Sequence, residues 1–216
     1  RFGTARYNGS AGALAALGGD GSSSIENPAL MNSSTFGGTE FSAHVRADQT
    51  DLRSQGLGLG QAYMTQVAQP KAGDVTLEIG TGSGYQSSIL SRICKLAYSI
   101  EIIEPLGQAV GKIFAPLGYD NVSSRVGDGY FGWPEVEGGF DIIIITCAAQ
   151  YAPPELFKQL KPGGRALIPI GQPFKRGQFL YVYTKDADGK IHSRKDVGVF
   201  FIPMTGTMMK TLAPKS

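Results

Sequence analysis

The segment "VTLEIGTGSGYQ", Val75 to Gln86, constrains the fold of this chain more than any other. A run of β-formers is followed at once by glycines at 80, 82 and 84, and then by a stretch that reads as a helix. Glycine serves where a Cβ would stand in the way, so this strand–turn–helix must leave its backbone open to a close neighbour. The pattern then repeats. Strands are predicted over residues 75–79, 97–102, 123–126, 140–146 and 165–170, with helices over 61–69, 84–93, 105–117 and 153–159. The run "FDIIIIT" is apolar at both parities, which suits a strand buried on both faces. Alternating strands and helices specify a parallel sheet wound on both sides. The end of the chain differs: residues 178–184 and 190–202 read as strands joined by "KDADG", an Asp-Gly hairpin signal. The expected fold class is α/β, a mostly parallel doubly wound sheet that ends in an antiparallel hairpin.

The 216 residues suffice for one domain with a proper core and an arm. Composition changes near residue 60. Residues 1–60 hold Gly/Ser-rich runs such as "NGSAGALAALGGDGSSS" without sustained periodicity, and read either as a loop-rich arm or as a cap over a substrate cleft. Residues 61–216 carry the sheet. A net charge of +2 supplies no field for nucleic acid or an anionic membrane, so neither is an expected partner. Two cysteines and two histidines show neither a disulfide framework nor a metal-site spacing. No run approaches the ~18 apolar residues of a membrane helix. The first residue is Arg1 rather than Met, which leaves a cleaved leader open; the expected compartment is the cytoplasm. The residues leave the oligomeric state open.

Two cofactor types suit a glycine-rich turn after the first strand. A dinucleotide fingerprint needs G-x-G-x-x-G, but the position of its third glycine is Tyr85, too bulky for close helix–strand packing. The spacing E-x-G-x-G-x-G, from Glu78 through Gly80, Thr81, Gly82, Ser83 and Gly84, instead suits S-adenosyl-L-methionine, which has no pyrophosphate. A ribose also wants an acid about 20 residues on, at the end of the second strand. Glu101 in "YSIEIIEP" stands there, able to accept charge-assisted bonds from both hydroxyls. After the third strand, Asp128 in "RVGDGY" can accept from the adenine amino group, with Gly127 and Gly129 letting the ring lie on backbone. Thr146 ends the fourth strand at the carboxyl edge, where open α/β sheets bind ligands. Cys147, beside it, reads as a buried small hydrophobe.

The blocks "LEIGTGSGYQ", "YSIEIIEPL", "LGYDNVSSRVGDGYFGWPE", "FDIIIITCAA", "PPELFKQLKPGGRALIPIG" and "FIPMTG" resemble, in order and spacing, those of the protein-L-isoaspartate O-methyltransferases. The likeness runs from about Met64 to Gly206. It implies a Rossmann-like methyltransferase fold and S-adenosyl-L-methionine as methyl donor, with S-adenosyl-L-homocysteine as product. The implied acceptor is the free carboxylate of an isoaspartyl residue in a damaged protein or peptide. Such an acceptor is ionised near pH 7 and needs no general base. The family carries G-x-G-Q-T-I-S-x-P before the glycine turn. An ungapped reading lays the last seven of these nine positions on 52–58, "LRSQGLG", with Gly56 in place of the serine and Gly58 in place of the proline. Ser54, the hydroxyl close by, and Thr205 in the closing P-M-T-G are then the candidate catalytic residues. Three other readings stay open at this point: a methyltransferase with a different small-molecule or peptide acceptor, a cofactor-binding relative without activity, and an NAD-dependent oxidoreductase, which Tyr85 and the terminal hairpin oppose.

Overall fold

The computed structural model describes residues 57–173 and 177–210. Its elements are α1 (Leu57–Ala68), β1 (Val75–Ile79), α2 (Tyr85–Ile93), β2 (Leu96–Glu101), α3 (Glu104–Gly111), β3 (Val122–Val126), β4 (Phe140–Ile145), α4 (Pro154–Gln159), β5 (Leu160–Ile170), β6 (Gln178–Lys185), β7 (Ile191–Val199) and α5 (Thr207–Lys210). The seven strands form one sheet in the order β3-β2-β1-β4-β5-β6-β7. The pairs among β3, β2, β1, β4 and β5 are parallel, whereas β5–β6 and β6–β7 are antiparallel. The fold class expected from the sequence is therefore the one observed.

Strand periodicity divides the core. Leu77, Ile79, Ile100, Ile143 and Ile145 join one buried cluster with Leu156 of α4 and Met208 of α5. Ala97, Ile142 and Ile144 join the opposite one with Met64 of α1 and Leu90 of α2. The four isoleucines of β4 thus serve both faces in alternation, as a central strand requires. On the α1/α2 face β1 places Thr76 and Glu78, both fully buried. Two polar groups in a core position need partners, and those of Glu78 belong to the site described below.

Several boundaries moved for local reasons. The first helix begins at Leu57, ahead of the compositional change at residue 60. Helix α3 stops at Gly111, and the chain then turns through a 3-10 helix (Ala115–Leu117) to Gly118 in the left-handed conformation. "KPGG", ahead of the strand predicted over 165–170, lies inside β5, where Phe140 pairs with Leu160 but Ile142 with Arg165. The extra residues bulge out of the ladder, as an irregular parallel pairing allows. Strand β7 ends at Val199, and Gln178 replaces the missing ladder: its Nε2 donates to the Phe201 carbonyl at 3.0 Å, and its Oε1 accepts the Phe201 N–H at 2.6 Å.

That detour matters, because residues 201–204 return to the carboxyl edge of the sheet. Ala148 N–H donates to the Ile202 carbonyl and Met204 N–H to the Ala148 carbonyl, each at 2.8 Å. On its other side the segment that follows β4 is bound to β5: Ala149 N–H donates to the Pro169 carbonyl, and Gly171 N–H to the Ala149 carbonyl. The chain end therefore becomes part of the rim around the β1/β4 junction.

Candidate active site

Strands β1 and β4 are neighbours whose following connections run to opposite sides of the sheet, the arrangement that opens a crevice at the carboxyl ends. The glycine turn occupies one lip of it. Gly80, Gly82 and Gly84 have φ of 97°, 53° and 80°, left-handed values that L-residues seldom adopt. A Cβ on Gly80 would stand 2.7 Å from Thr146 Oγ1, whereas one on Gly82 would meet only the Gly80 carbonyl at 3.8 Å. The turn is thus pressed against β4 at its start and open at its middle. At its end, a Cβ on Gly84 would come within about 3 Å of Val110 and Phe114. The close packing demanded of a third glycine falls on Gly84, and Tyr85 is buried as the first residue of α2.

Thr146 holds the other side of the junction. Its N–H donates to the Ile79 carbonyl at 2.9 Å, and its hydroxyl lies 2.6 Å from the Gly80 carbonyl. Cys147 is buried next to it, and desolvation, with the charges of Glu101 and Glu78, pushes its thiol up to about 12. It is not a thiolate near neutral pH.

Glu101, at the end of β2, is buried, and each of its oxygens already accepts a backbone N–H. Gly82 donates to Oε2 at 2.9 Å and Ile103 to Oε1 at 3.0 Å. The acid is fixed in orientation, and Ile102 and Ile103 after it and Val126 paired with it are exposed. Asp128 follows β3 as the cap of a 3-10 helix, Gly129–Phe131. Its Oδ1 accepts the Tyr130 N–H at 3.0 Å and its Oδ2 the Thr207 N–H at 2.7 Å. Asp128 therefore ties the third loop to the end of the chain. Gly127 leaves ordinary space above Ile100, while Gly129 sits where a Cβ would lie 2.2 Å from Ile79 Cγ2, so only glycine brings this loop against β1.

Glu78 is placed differently from the other predicted residues. Its Oε2 accepts from the hydroxyls of Ser87 and of Ser99, the latter at 2.9 Å, and Oε1 meets no hydrogen-bond partner among the described residues. Complete burial raises its pKa from 4.5 to about 8, against the opposing effect of the two hydroxyls. The carboxyl lies beneath the turn, at its core side, and largely keeps its proton at neutral pH. Thr81, also buried, points its hydroxyl at Ser99 Oγ, 2.6 Å away. Thr205 is exposed between buried Met204 and Gly206, and a Cβ on Gly206 would stand 2.6 Å from Asp128 Oδ2. Ser54 and Gly56, with most of the 1–60 segment, lie outside the described residues; Gly58 falls in the first turn of α1.

Sequence reasoning passed over the groups that hold these residues in place. Ser99 sits two positions before Glu101 on the same strand face, and a hydroxyl at a buried strand position was the available signal. The block "GDGYFGWPE" is held by Gln159, whose Oε1 accepts the Trp133 N–H at 2.7 Å and whose Nε2 donates to the Phe131 carbonyl at 2.8 Å. Arg125 lies over the Trp133 ring, 4.2 Å from its centroid, and donates to the Gly132 carbonyl. Such long-range pairings leave no local sequence mark. Among the described residues no group of three or more His, Cys, Asp or Glu could hold a metal ion, and no helix is long and apolar enough to cross a membrane.

The family model described as Protein-L-isoaspartate(D-aspartate) O-methyltransferase matches residues 52–209. Protein-L-isoaspartate O-methyltransferase 1 of Nitrosospira multiformis is 50% identical over 145 residues, 67% of this chain and 61% of that relative. The corresponding enzyme 2 of a Polaromonas species is 46% identical, over 67% of this chain and 68% of its own length. A third relative, from Cupriavidus necator, is 46% identical with 55% of its length covered, so the chain spans only about half to two thirds of these relatives. Among solved structures, a protein-L-isoaspartate O-methyltransferase superposes with a TM-score of 0.65 at 22% identity, over 78% of this chain and 62% of that one. A putative one from Plasmodium falciparum, in complex with S-adenosyl-L-homocysteine, gives 0.56 at 21% identity, over 69% and 72%. At those identities the structural likeness is one of fold. The model match over residues 52–209, together with the sequence relatives, places the chain in the protein-L-isoaspartate(D-aspartate) O-methyltransferase family.

Proposed function

We propose that the chain methylates the free carboxylate of isoaspartyl residues in proteins or peptides, with S-adenosyl-L-methionine as donor. The observation that carries this reading is the junction of a glycine turn open at Gly82 with the prealigned carboxylate of Glu101. The residues present fit such a cofactor. Gly82 leaves room over the backbone, Glu101 offers lone pairs to ribose hydroxyls, and Ile102, Ile103 and Val126 offer apolar surface beside it. Asp128, Gly127 and Gly129 are the candidates for the adenine end, with Gly80, Thr81, Ser83, Gly84, Tyr85 and Thr146 shaping the remainder. When bound, the cofactor supplies a methyl group on a sulfonium, a leaving group that needs no acid.

The chain's own residues then have modest chemical tasks. Its carboxylates are anchored to backbone N–H groups before any ligand arrives, so binding pays little for ordering them. Cys147 stays protonated next to the site and does not compete for the methyl group. The acceptor carboxylate is ionised near pH 7, so what remains is to hold it in line with the transferring group, where positioning can supply much of the acceleration. Thr205, exposed on the rim beside Asp128, and Ser54 are the hydroxyls assigned to that task.

Calorimetry with S-adenosyl-L-homocysteine and with NAD tests the cofactor; binding of NAD alone would overturn the assignment. Incubation with labelled S-adenosyl-L-methionine and an isoaspartyl peptide beside its aspartyl twin tests the acceptor. Label is expected on the isoaspartyl peptide only. Label on neither peptide, with cofactor binding intact, points to a different acceptor, a reading that Gly56 at the place of the family serine favours.

A further inference from the structure

Three buried hydroxyls and one buried carboxyl form a connected group directly beneath the glycine turn. Ser87 belongs to α2, Ser99 to β2, Glu78 to β1 and Thr81 to the turn itself, and none is appreciably exposed. With the Glu78 proton on Oε1, the oxygen that meets no partner among the described residues, Oε2 accepts from both serines, and this sets the direction of the bonds. Ser99 Oγ donates to Glu78 Oε2 at 2.9 Å, and a serine hydroxyl has a single proton to give. In the 2.6 Å contact between Thr81 Oγ1 and Ser99 Oγ, the donor is therefore Thr81. The sequence of donation runs Thr81 to Ser99 to Glu78, with Ser87 donating to the same oxygen from the helix side.

We propose that Ser99 is a positioning residue for the cofactor turn, the inner link of a directional hydroxyl chain that sets the rotamer of Thr81. Thr81 stands between Gly80 at φ 97° and Gly82 at φ 53°, two residues with no side chain to limit their backbone. Backbone bonds from Gly80 and Thr81 to the Ile100 carbonyl, at 2.9 and 3.3 Å, hold the start of the turn to β2. The threonine side chain is the only one in the stretch Gly80–Gly82, and Ser99 gives it a fixed partner in the core. Without Ser99 the Thr81 hydroxyl would be buried with no acceptor in reach from this chain of bonds, a cost that turning outward relieves only by moving the turn. Gly82, whose N–H donates to Glu101, would move with it. Ser99 thus acts on the ligand site through Thr81 and Gly82, at one remove from any ligand.

The inference rests on the cofactor reading above, and one set of calorimetric titrations with S-adenosyl-L-homocysteine separates the two. Failure of the unmodified protein to bind removes the cofactor reading. Given binding, Ser99→Ala is expected to weaken it about three- to tenfold, the range for one buried hydrogen bond. Thr81→Val, which cuts the same chain from the other end and conserves volume, should show a similar loss. The double variant should lose no more than either alone, and Thr81→Ser, which keeps the hydroxyl, should restore affinity. Undiminished affinity in Ser99→Ala and Thr81→Val, or losses that add in the double variant, would overturn the positioning role. A lowered melting temperature with unchanged affinity counts against it equally.

Discussion

The two lips of the crevice are built on different principles. On the β1/β2 side the glycine turn is held by buried side chains: Thr81, Ser99, Ser87 and Glu78 below it and Glu101 beside it. On the β4 side, beyond the Thr146 hydroxyl, the rim is made by backbone. Residues 147–149 and 201–204 exchange main-chain bonds, and Ile202, Thr205 and Met209 are exposed along the same C-terminal stretch. The contrast shows where substitution is free. Main-chain bonds do not depend on the identity of exposed side chains, so the exposed positions of the second lip can change what they present without loss of the fold. Each polar group under the first lip depends on another, and unpairing one costs the desolvation of its partner.

Substitutions that strike the first lip should have the largest effects. Gly129→Ala places a Cβ 2.2 Å from Ile79 Cγ2 in the packed core. Urea denaturation should show a loss of ~3 kcal/mol, as for other overpacked sites; a loss below ~0.5 kcal/mol would mean that the third loop does not lie against β1 as described. A second prediction concerns pH. Between its ordinary 4.5 and about 8, Glu78 holds a proton in the folded protein that the unfolded chain gives up. The folded state binds more protons, so stability falls as pH rises through that window. At about 1.4 kcal/mol per pKa unit the fall is several kcal/mol, and Glu78→Gln should flatten it. Equal pH profiles for the two proteins would place the Glu78 carboxyl in a wetter setting than the core.

Smaller effects sharpen the comparison at its boundary. Glu101→Ala removes an acceptor of two backbone N–H groups along with the proposed ribose contact. S-adenosyl-L-homocysteine affinity should drop by ~2 kcal/mol, and calorimetry that found no change would remove this acid from the site. Asp128→Asn, which exchanges one accepting oxygen for a donor, should cost ~1 kcal/mol in stability by weakening the Tyr130 or Thr207 bond. On the second lip, Thr205→Ala should alter stability by less than ~0.5 kcal/mol. Its mark is expected only in transfer to the isoaspartyl peptide, with cofactor affinity as in the unmodified protein. A Thr205→Ala variant that bound S-adenosyl-L-homocysteine more weakly would merge the two lips into one functional unit.

The amino-acid sequence alone determined the sheet, the glycine turn and the order in which Glu101, Asp128 and Thr146 meet the crevice. These follow from period-two and helical patterns and from the spacing of special residues, all of which act within a dozen positions. Tertiary structure decided the rest. It moved the role of the third glycine to Gly84, because Val110 of α3 and Phe114 beyond it pack against the turn. It drew Glu78 under the turn, because Ser87 and Ser99 come from two other elements to meet it. It also brought Thr207 to Asp128 across 79 positions. Hydrogen bonds between distant residues satisfy buried groups without constraining their sequence neighbours, and so only the folded chain reveals them.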